Sequence, residues 1–215
     1  MKYAVSSYSF SKLFDNGELN QLSCIEKAKK IGFDAVEFVE IVPHDGSEPE
    51  DYAGKLKLEA QKQGMEISCY TVGADFLNGS DKDTQKEIER IKKQVDIAKI
   101  LGVTRMRHDA TAGDNTSKSS FRSFDKVLPI LSDACREITA YAQEKGIRTM
   151  IENHGVFCQD ALRVEKLYNS INHPNFGLLL DIGNFVCVDE NPVTSCSLIA
   201  PYAIYVHVKD FHIKS

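Results

Sequence analysis

Short apolar segments alternate with longer amphipathic segments along the whole chain. The apolar segments predict seven β-strands, at residues 3–10, 35–42, 65–72, 103–108, 147–153, 176–182 and 203–211. In the longer segments apolar residues recur at three- and four-residue spacing, which predicts helices at 20–31, 51–63, 82–101, 121–145, 160–170 and 192–202. Strict alternation of strand and helix is typical of parallel strands that are joined by right-handed helical crossovers.

The spacing of the predicted strands favours a barrel. Successive strand ends lie roughly 30 to 45 residues apart, about one β/α unit each, and a (β/α)8 TIM barrel runs to about 250 residues. We therefore expect an α/β protein with a single TIM-barrel domain over residues 1–215, in which seven β/α units are present and the C-terminal unit is missing. We also expect the natural protein to continue beyond Ser215. An open doubly wound sheet is the alternative, although no G-x-G-x-x-G motif follows the first strand.

Composition and charge narrow the classes of partner. The 215 residues are 42% hydrophobic and 27% charged, with a formal net charge of −5, so a broad basic surface for nucleic acid is not expected. No apolar run approaches the ~18 residues of a membrane span, and the first residues do not have the pattern of a signal peptide. The six cysteines form no C-x-x-C pair, which favours reduced, mostly buried thiols in a cytoplasmic protein.

Three potential metal ligands stand at the ends of three consecutive predicted strands: Glu152, Asp181 and His207. The C-terminal ends of barrel strands meet at one mouth, where the active sites of such barrels lie. Apolar residues precede each of the three, and a carboxylate in such a place is costly to bury unless it is paired or bound to metal. Each residue alone also fits a helix cap, a turn or a core histidine. Together, carboxylates and an imidazole indicate one divalent ion, Mn²⁺, Co²⁺, Mg²⁺ or Zn²⁺.

Further polar and aromatic residues lie near predicted strand ends. His154 and Lys209 stand two residues beyond Glu152 and His207 and should point to the same side, so both are candidates for catalysis, with a rim salt bridge as the alternative for Lys209. The segment 114–120 is Ser-rich and is expected to form a mobile loop after the fourth strand. The candidate substrate-binding residues at the first, third and fourth strand ends are Tyr8, Tyr70, Arg107 and His108. The sequence leaves open which of the last two faces the mouth, and whether the tyrosines belong to the core.

The segments GFDAVEFVE, IENHG, LLLDIGN and YVHVKDF resemble the xylose isomerase-like TIM-barrel superfamily, the sugar phosphate isomerase/epimerase family. The resemblance implies that Glu152, Asp181 and His207 are three of four metal ligands, the fourth being a Glu on an eighth strand that this sequence does not include. It also implies that Glu152 belongs to the acid/base pair. Asn184 stands where several members have a histidine that binds metal or substrate, so Asn184 is a further candidate for substrate binding.

The resemblance implies a metal-dependent sugar isomerase or epimerase that moves a proton next to a carbonyl through an enediolate. The expected partner is a small sugar or cyclitol, with neither nucleic acid nor membrane, and a homo-oligomer stays open. An inosose-type dehydratase using the same site, an endonuclease IV-like apurinic endonuclease and a non-catalytic sugar-binding barrel are the alternatives. Asn184 and the net charge of −5 both weigh against the nuclease.

Overall fold

A computed structural model of the chain describes residues 2–112, 123–155 and 157–212, so the loop expected at 114–120 lies outside the described residues. The chain forms two compact units. Unit 1 comprises Met1–Val72, Lys93–Met106 and Lys145–Ile147, and unit 2 comprises Gly73–Lys92, Arg107–Glu144 and Arg148–Ser215.

All seven predicted strands are present, each within its predicted segment. They are β1 (Ala4–Ser6), β2 (Ala35–Val39), β3 (Glu66–Val72), β4 (Arg105–His108), β5 (Arg148–Glu152), β6 (Phe176–Asp181) and β7 (Ala203–His207). The α-helices of the described ranges are α1 (Ser11–Asp15), α2 (Gln21–Ile31), α3 (Pro49–Gln63), α4 (Gly79–Lys82), α5 (Thr84–Leu101), α6 (Phe124–Glu144), α7 (Ala161–Ile171) and α8 (Pro192–Ile199). Short 3-10 helices span Ser7–Phe10, Asn184–Val188 and Ala200–Tyr202. None of the described helices combines the length and the apolar character that a membrane crossing requires.

In unit 1, β1, β2 and β3 pair in parallel and in chain order. Helix α2 shows how the local sequence sets both ends of a helix. The side chain of Asn20 caps its first turn, and Gly32 ends it at φ 108°, a conformation that glycine adopts at little cost. The core of the unit is made of side chains from β2, α2 and α3 that are fully buried, among them Ile25, Phe38 and Leu56.

In unit 2, β5, β6 and β7 also pair in parallel and in chain order. Every residue of β6 is buried, which is typical of a central parallel strand. The register places Glu152 opposite Leu179 and Asp181 opposite His207. The carboxyl-terminal ends of the three strands therefore share one edge of this part of the sheet.

The first strand is shorter than predicted. It ends at Ser6 instead of continuing to residue 10, because the chain turns into the 3-10 helix Ser7–Phe10. The hydroxyl of Ser7 accepts a hydrogen bond from the backbone N–H of Val39 at 2.9 Å, so a side chain makes the contact with β2 that a strand backbone would make. The next strand ends at Val39, where Glu40 follows at φ 43°.

Candidate active site

The three predicted metal ligands meet at the shared edge of unit 2. Glu152, Asp181 and His207 are the last residues of β5, β6 and β7, and one ligand atom of each lies within 4.8 Å of the others. Nδ1 of His207 is 3.6 Å from Oε1 of Glu152 and 4.0 Å from Oδ2 of Asp181. The two carboxylate side chains are only 6% and 1% exposed. We call this set the Glu–Asp–His group; its role as a metal site stays a prediction.

The orientation of Asp181 is fixed on one side by the backbone. Its Oδ1 accepts hydrogen bonds from the backbone N–H groups of Gly183 at 2.9 Å and Asn184 at 3.0 Å. Asn153 exchanges two further hydrogen bonds with the backbone of Asp181, at 2.8 and 2.9 Å. Burial raises the pKa of Asp181, and the ammonium of Lys209 opposes that rise. These contacts leave Oδ2 as the oxygen that faces the other members of the group.

Glu152 is held by a guanidinium and an amide. Its Oε2 accepts a hydrogen bond from Nη2 of Arg107 at 2.6 Å, and its Oε1 accepts one from Nδ2 of Asn184 at 3.0 Å. Burial alone would raise the pKa of Glu152, but the proximity of His207, Arg107 and His154 together holds it below its ordinary value. Glu152 is therefore an ionised carboxylate at neutral pH, although it is buried.

Asp109 is a site residue that the sequence reasoning missed. Its carboxylate binds the guanidinium of Arg107, with N–O distances of 3.0 and 3.2 Å, and Nδ1 of His154 at 3.2 Å. The hydrogen bond to Asp109 raises the pKa of His154, although burial opposes the shift. The sequence signal for Asp109 was its two-residue spacing from Arg107, and this signal is weak because β4 ends at His108, before Asp109.

The structure decides which residue at the end of β4 meets the Glu–Asp–His group. Arg107 reaches Glu152, whereas His108 is fully buried and its ring stands edge-on to Phe76 at a centroid distance of 5.9 Å. Nδ1 of His108 donates a hydrogen bond to the backbone carbonyl of Asp109 at 2.8 Å, and no described residue pairs with Nε2. Burial lowers the pKa of His108 to about 4, so its ring is neutral at pH 7. The substrate role of His108 stays a prediction.

The other predicted residues occupy different surroundings. Asn184 is buried and donates to Glu152, while its own carbonyl accepts a hydrogen bond from Gln159 at 2.9 Å. Nζ of Lys209 lies 3.1 Å from Oδ2 of Asp181. The two predicted tyrosines lie in unit 1: Tyr8 is 74% exposed, whereas Tyr70 is buried and its hydroxyl donates to Gln94 at 2.6 Å. Their roles in substrate binding stay predictions.

The donor set of the Glu–Asp–His group fits a divalent ion. After the hydrogen bonds above, Oε1 of Glu152, Oδ2 of Asp181 and Nδ1 of His207 are the atoms that face one another. Two buried carboxylates in one place favour a cation, because like charges in a poorly solvated place repel each other. Carboxylate oxygens with an imidazole nitrogen suit Mn²⁺, Co²⁺, Mg²⁺ and Zn²⁺.

Comparison with known proteins identifies the family. Residues 25–215 match the family model described as xylose isomerase-like TIM barrel, so the chain belongs to this family. The match confirms both the resemblance and the TIM-barrel fold class that the sequence predicts.

Two solved structures and one curated relative show how far the similarity reaches. D-psicose 3-epimerase from Clostridium cellulolyticum H10, solved with D-tagatose, superimposes with a TM-score of 0.74 at 15% identity, covering 97% of this chain and 73% of that one. A probable 3-DHS dehydratase from Bacillus anthracis gives a TM-score of 0.72 at 18% identity, covering 96% and 72%. Inosose dehydratase 1 of Bacillus cereus is 32% identical over 81 residues, which are 37% of this chain and only 27% of that protein.

Proposed function

We propose that this protein is a divalent-metal-dependent isomerase or epimerase that acts on a small sugar or cyclitol in the cytoplasm. The observation that carries the proposal is the Glu–Asp–His group, in which three donor atoms from adjacent parallel strands lie within 4.8 Å of one another. Membership of the xylose isomerase-like family and the shared fold of D-psicose 3-epimerase support it.

The chemistry would be proton transfer at a carbon next to a carbonyl. A divalent ion held by Glu152, Asp181 and His207 would supply Lewis-acid stabilisation of the negative charge that develops on the carbonyl oxygen. Glu152 is ionised and can accept the proton from the carbon, while the electron pair of the C–H bond stays with the substrate. Return of the proton to the neighbouring carbon gives an isomer, and return to the opposite face of the first carbon gives an epimer.

His154 and Lys209 are the proposed partners of the substrate oxygens. Nδ1 of His154 is held by Asp109, which leaves Nε2 available to exchange a proton with a hydroxyl group. The side chain of Lys209 is 42% exposed and can place its ammonium against an oxygen that gains negative charge.

Dehydration is the second candidate reaction. The curated relative in Bacillus cereus is an inosose dehydratase, and a probable 3-DHS dehydratase shares the fold. The first proton transfer would be the same. A hydroxyl group on the β-carbon would then leave as water after taking a proton from His154 or Lys209, so that a carbon–carbon double bond forms.

Metal content tests the proposal first. The purified protein should retain or take up one divalent ion per chain, and Glu152→Gln and Asp181→Asn should lose it while staying folded. Asp133→Asn is the matched control, because Asp133 is 72% exposed, forms its ion pair with Arg136 in the same helix and is not a member of the group. A wild type that binds no ion after addition of Mn²⁺, Co²⁺, Mg²⁺ or Zn²⁺ would overturn the proposal, and three zinc ions with cleavage of abasic DNA would favour the nuclease.

Turnover in D₂O separates the two reactions. The metal-loaded protein would be incubated with a panel of ketoses and inososes, and the products analysed by NMR. An isomerase or epimerase should yield a rearranged sugar that has lost no water and carries deuterium next to the carbonyl. A dehydratase should yield an unsaturated ketone with ultraviolet absorbance and one water fewer.

A further inference from the structure

Lys209 contacts the same carboxylate oxygen that a metal ion would need. Its Nζ lies 3.1 Å from Oδ2 of Asp181, whose side chain is only 1% exposed. We propose that Lys209 is the counter-ion of the metal-free site, and that it competes with a divalent ion for Asp181 and is released when the ion binds. The inference rests on the metal site of the proposed function and adds a role for Lys209 in setting the metal affinity.

The competition follows from how the two oxygens of Asp181 are used. Oδ1 already accepts two backbone hydrogen bonds, from Gly183 at 2.9 Å and Asn184 at 3.0 Å. Oδ2 faces Nδ1 of His207 at 4.0 Å and is the oxygen on which Lys209 lies. A metal ion that binds Oδ2 and His207 together must therefore share or displace the contact with the ammonium, and the two cations repel each other.

The other cation of the site is held more firmly. Arg107 is 10% exposed and its guanidinium joins Glu152 at 2.6 Å to Asp109 at 3.0 Å, so it has two carboxylate partners. Lys209 is 42% exposed, and the aromatic ring of Phe211 lies 5.3 Å from its Nζ. The flexible, better solvated lysine is the cation that can leave with less cost.

The backbone of Lys209 limits the movement to the side chain. Gly183 packs closely against it, since a Cβ atom at Gly183 would lie 2.9 Å from the carbonyl oxygen of Lys209 and 3.0 Å from its Cγ. Release of the ammonium is therefore a rotation of the side chain beyond Cγ. The freed charge then becomes available to a substrate oxygen only after the metal ion has bound, which predicts an ordered sequence of metal first and substrate second.

Calorimetric titration with Mn²⁺ tests the competition without any need for activity. Lys209→Met removes the competing charge and should bind Mn²⁺ about tenfold more tightly than the wild type, an effect between those of an exposed and a fully buried ion pair. Lys209→Arg keeps the cation and should stay within about threefold of the wild type. The control Lys166→Met also removes one positive charge, from an ion pair with Asp125 that lies outside the group, and should leave the affinity unchanged.

Chemical labelling of the wild type follows the release directly. An amine-reactive acetylating reagent should modify Lys209 severalfold faster in saturating Mn²⁺ than in its absence, while Lys166 serves as the internal reference in the same mass spectra. This measurement does not depend on how well a variant folds. Equal or slower labelling of Lys209 in Mn²⁺, or an Mn²⁺ affinity in Lys209→Met that is unchanged or weaker, would overturn the role of Lys209.

The two proposals fail in different ways. A wild type that binds no Mn²⁺ removes the proposed function and this inference with it. If Mn²⁺ binds stoichiometrically, and this binding is lost in Asp181→Asn but unaffected by Lys209→Met, the metal site is supported and only the competition is wrong.

Discussion

Nδ1 of His154 lies 3.2 Å from Oδ1 of Asp109, and the same carboxylate binds both terminal nitrogens of Arg107. The carboxylate oxygens of Asp109 accept hydrogen bonds in this arrangement, so the hydrogen bond with His154 requires a hydrogen on Nδ1. Asp109 therefore fixes the tautomer of one proposed catalytic residue. Through Arg107 it also supports the carboxylate of Glu152.

The first prediction concerns this support. In Asp109→Asn, the side-chain amide can donate as well as accept, so neither the tautomer of His154 nor the position of Arg107 is fixed any longer. Turnover of the substrate found in the screen should fall by about 10- to 100-fold, a loss typical when the partner of a site residue is removed. Metal content should stay at the wild-type level, because Asp109 is not one of the three donors. Steady-state kinetics and elemental analysis of the same preparation check both points.

Asp133→Asn is again the control and should keep wild-type turnover. Full activity in Asp109→Asn would contradict the positioning role. Loss of the metal ion together with activity would show that Asp109 acts through the Glu–Asp–His group and not through His154.

Most of the candidate site could be predicted from the sequence because its residues lie at the ends of strands. Glu152, Asp181 and His207 each close an apolar run, and parallel strands bring such ends together whatever the details of packing. The sequence could not decide between Arg107 and His108, because three of the four residues of β4 are buried and no polar–apolar alternation remains to be read. Asp109 was missed because it lies one residue beyond the strand, where its contacts depend on how the chain turns.

At the start of the chain the sequence predicts a longer strand than the structure contains. Residues 3–10 have the composition of a strand, yet the strand ends at Ser6 because the hydroxyl of Ser7 substitutes for a backbone contact with Val39. Side-chain hydrogen bonds of serine compete with backbone pairing, and hydrophobic periodicity does not report them.

The second prediction concerns the turn that follows Glu152. Gly155 has φ 76°, and a Cβ atom there would lie 2.8 Å from the backbone carbonyl oxygen of Thr111. Gly155→Ala must therefore strain its own backbone and also push apart two main-chain segments. We expect it to lower the free energy of unfolding by about 2–4 kcal/mol, as measured by urea denaturation.

Gly146→Ala separates the two contributions. Gly146 has φ 74°, but the nearest atom to its added Cβ is Nζ of Lys99 at 4.0 Å, so only the backbone strain remains. That variant should lose about 1 kcal/mol. Equal losses in the two variants would show that the contact with Thr111 costs nothing.

The third prediction is that His108 makes the free energy of unfolding depend on pH in the acid range. Burial lowers the pKa of His108 to about 4 from its ordinary value of 6.5, so the unfolded chain binds this proton more readily than the folded one. The free energy of unfolding should therefore fall by up to about 1.4 kcal/mol per pH unit as the pH drops from 6.5 towards 4, and this contribution should be absent above 6.5.

Urea denaturation between pH 7.5 and 5 measures the slope. His108→Gln should have a shallower slope than the wild type over that range. His212→Gln, at an exposed position, is the matched control variant. Parallel curves for the wild type and His108→Gln would contradict the assignment.

The fourth prediction concerns a buried carboxylate on α5 in unit 2. Glu87 accepts hydrogen bonds from Arg90 at 2.7 and 3.0 Å, from the hydroxyl of Ser80 at 2.6 Å and from the backbone N–H of Asp75 at 3.1 Å. Burial alone would raise the pKa of Glu87, but these hydrogen bonds together lower it to about 2. The ionised form is therefore the one that holds the loop after β3 to the helix.

Glu87→Gln should lower the free energy of unfolding at pH 7 by about 3 kcal/mol at most, because the shift from 4.5 to about 2 corresponds to that amount. The stabilisation is complete above pH 4.5 and is lost as the pH falls through 2, since the folded pKa is the lower one. The difference in the free energy of unfolding between wild type and variant, measured by urea denaturation, should thus shrink steadily as the pH falls from 5 to 3. Glu26→Gln, which breaks an exposed pair with Lys30, should cost less than about 0.5 kcal/mol at any pH. A difference for Glu87→Gln that is the same at pH 7 and pH 3 would mean that the contacts of Glu87 stabilise the loop by packing alone and not by charge.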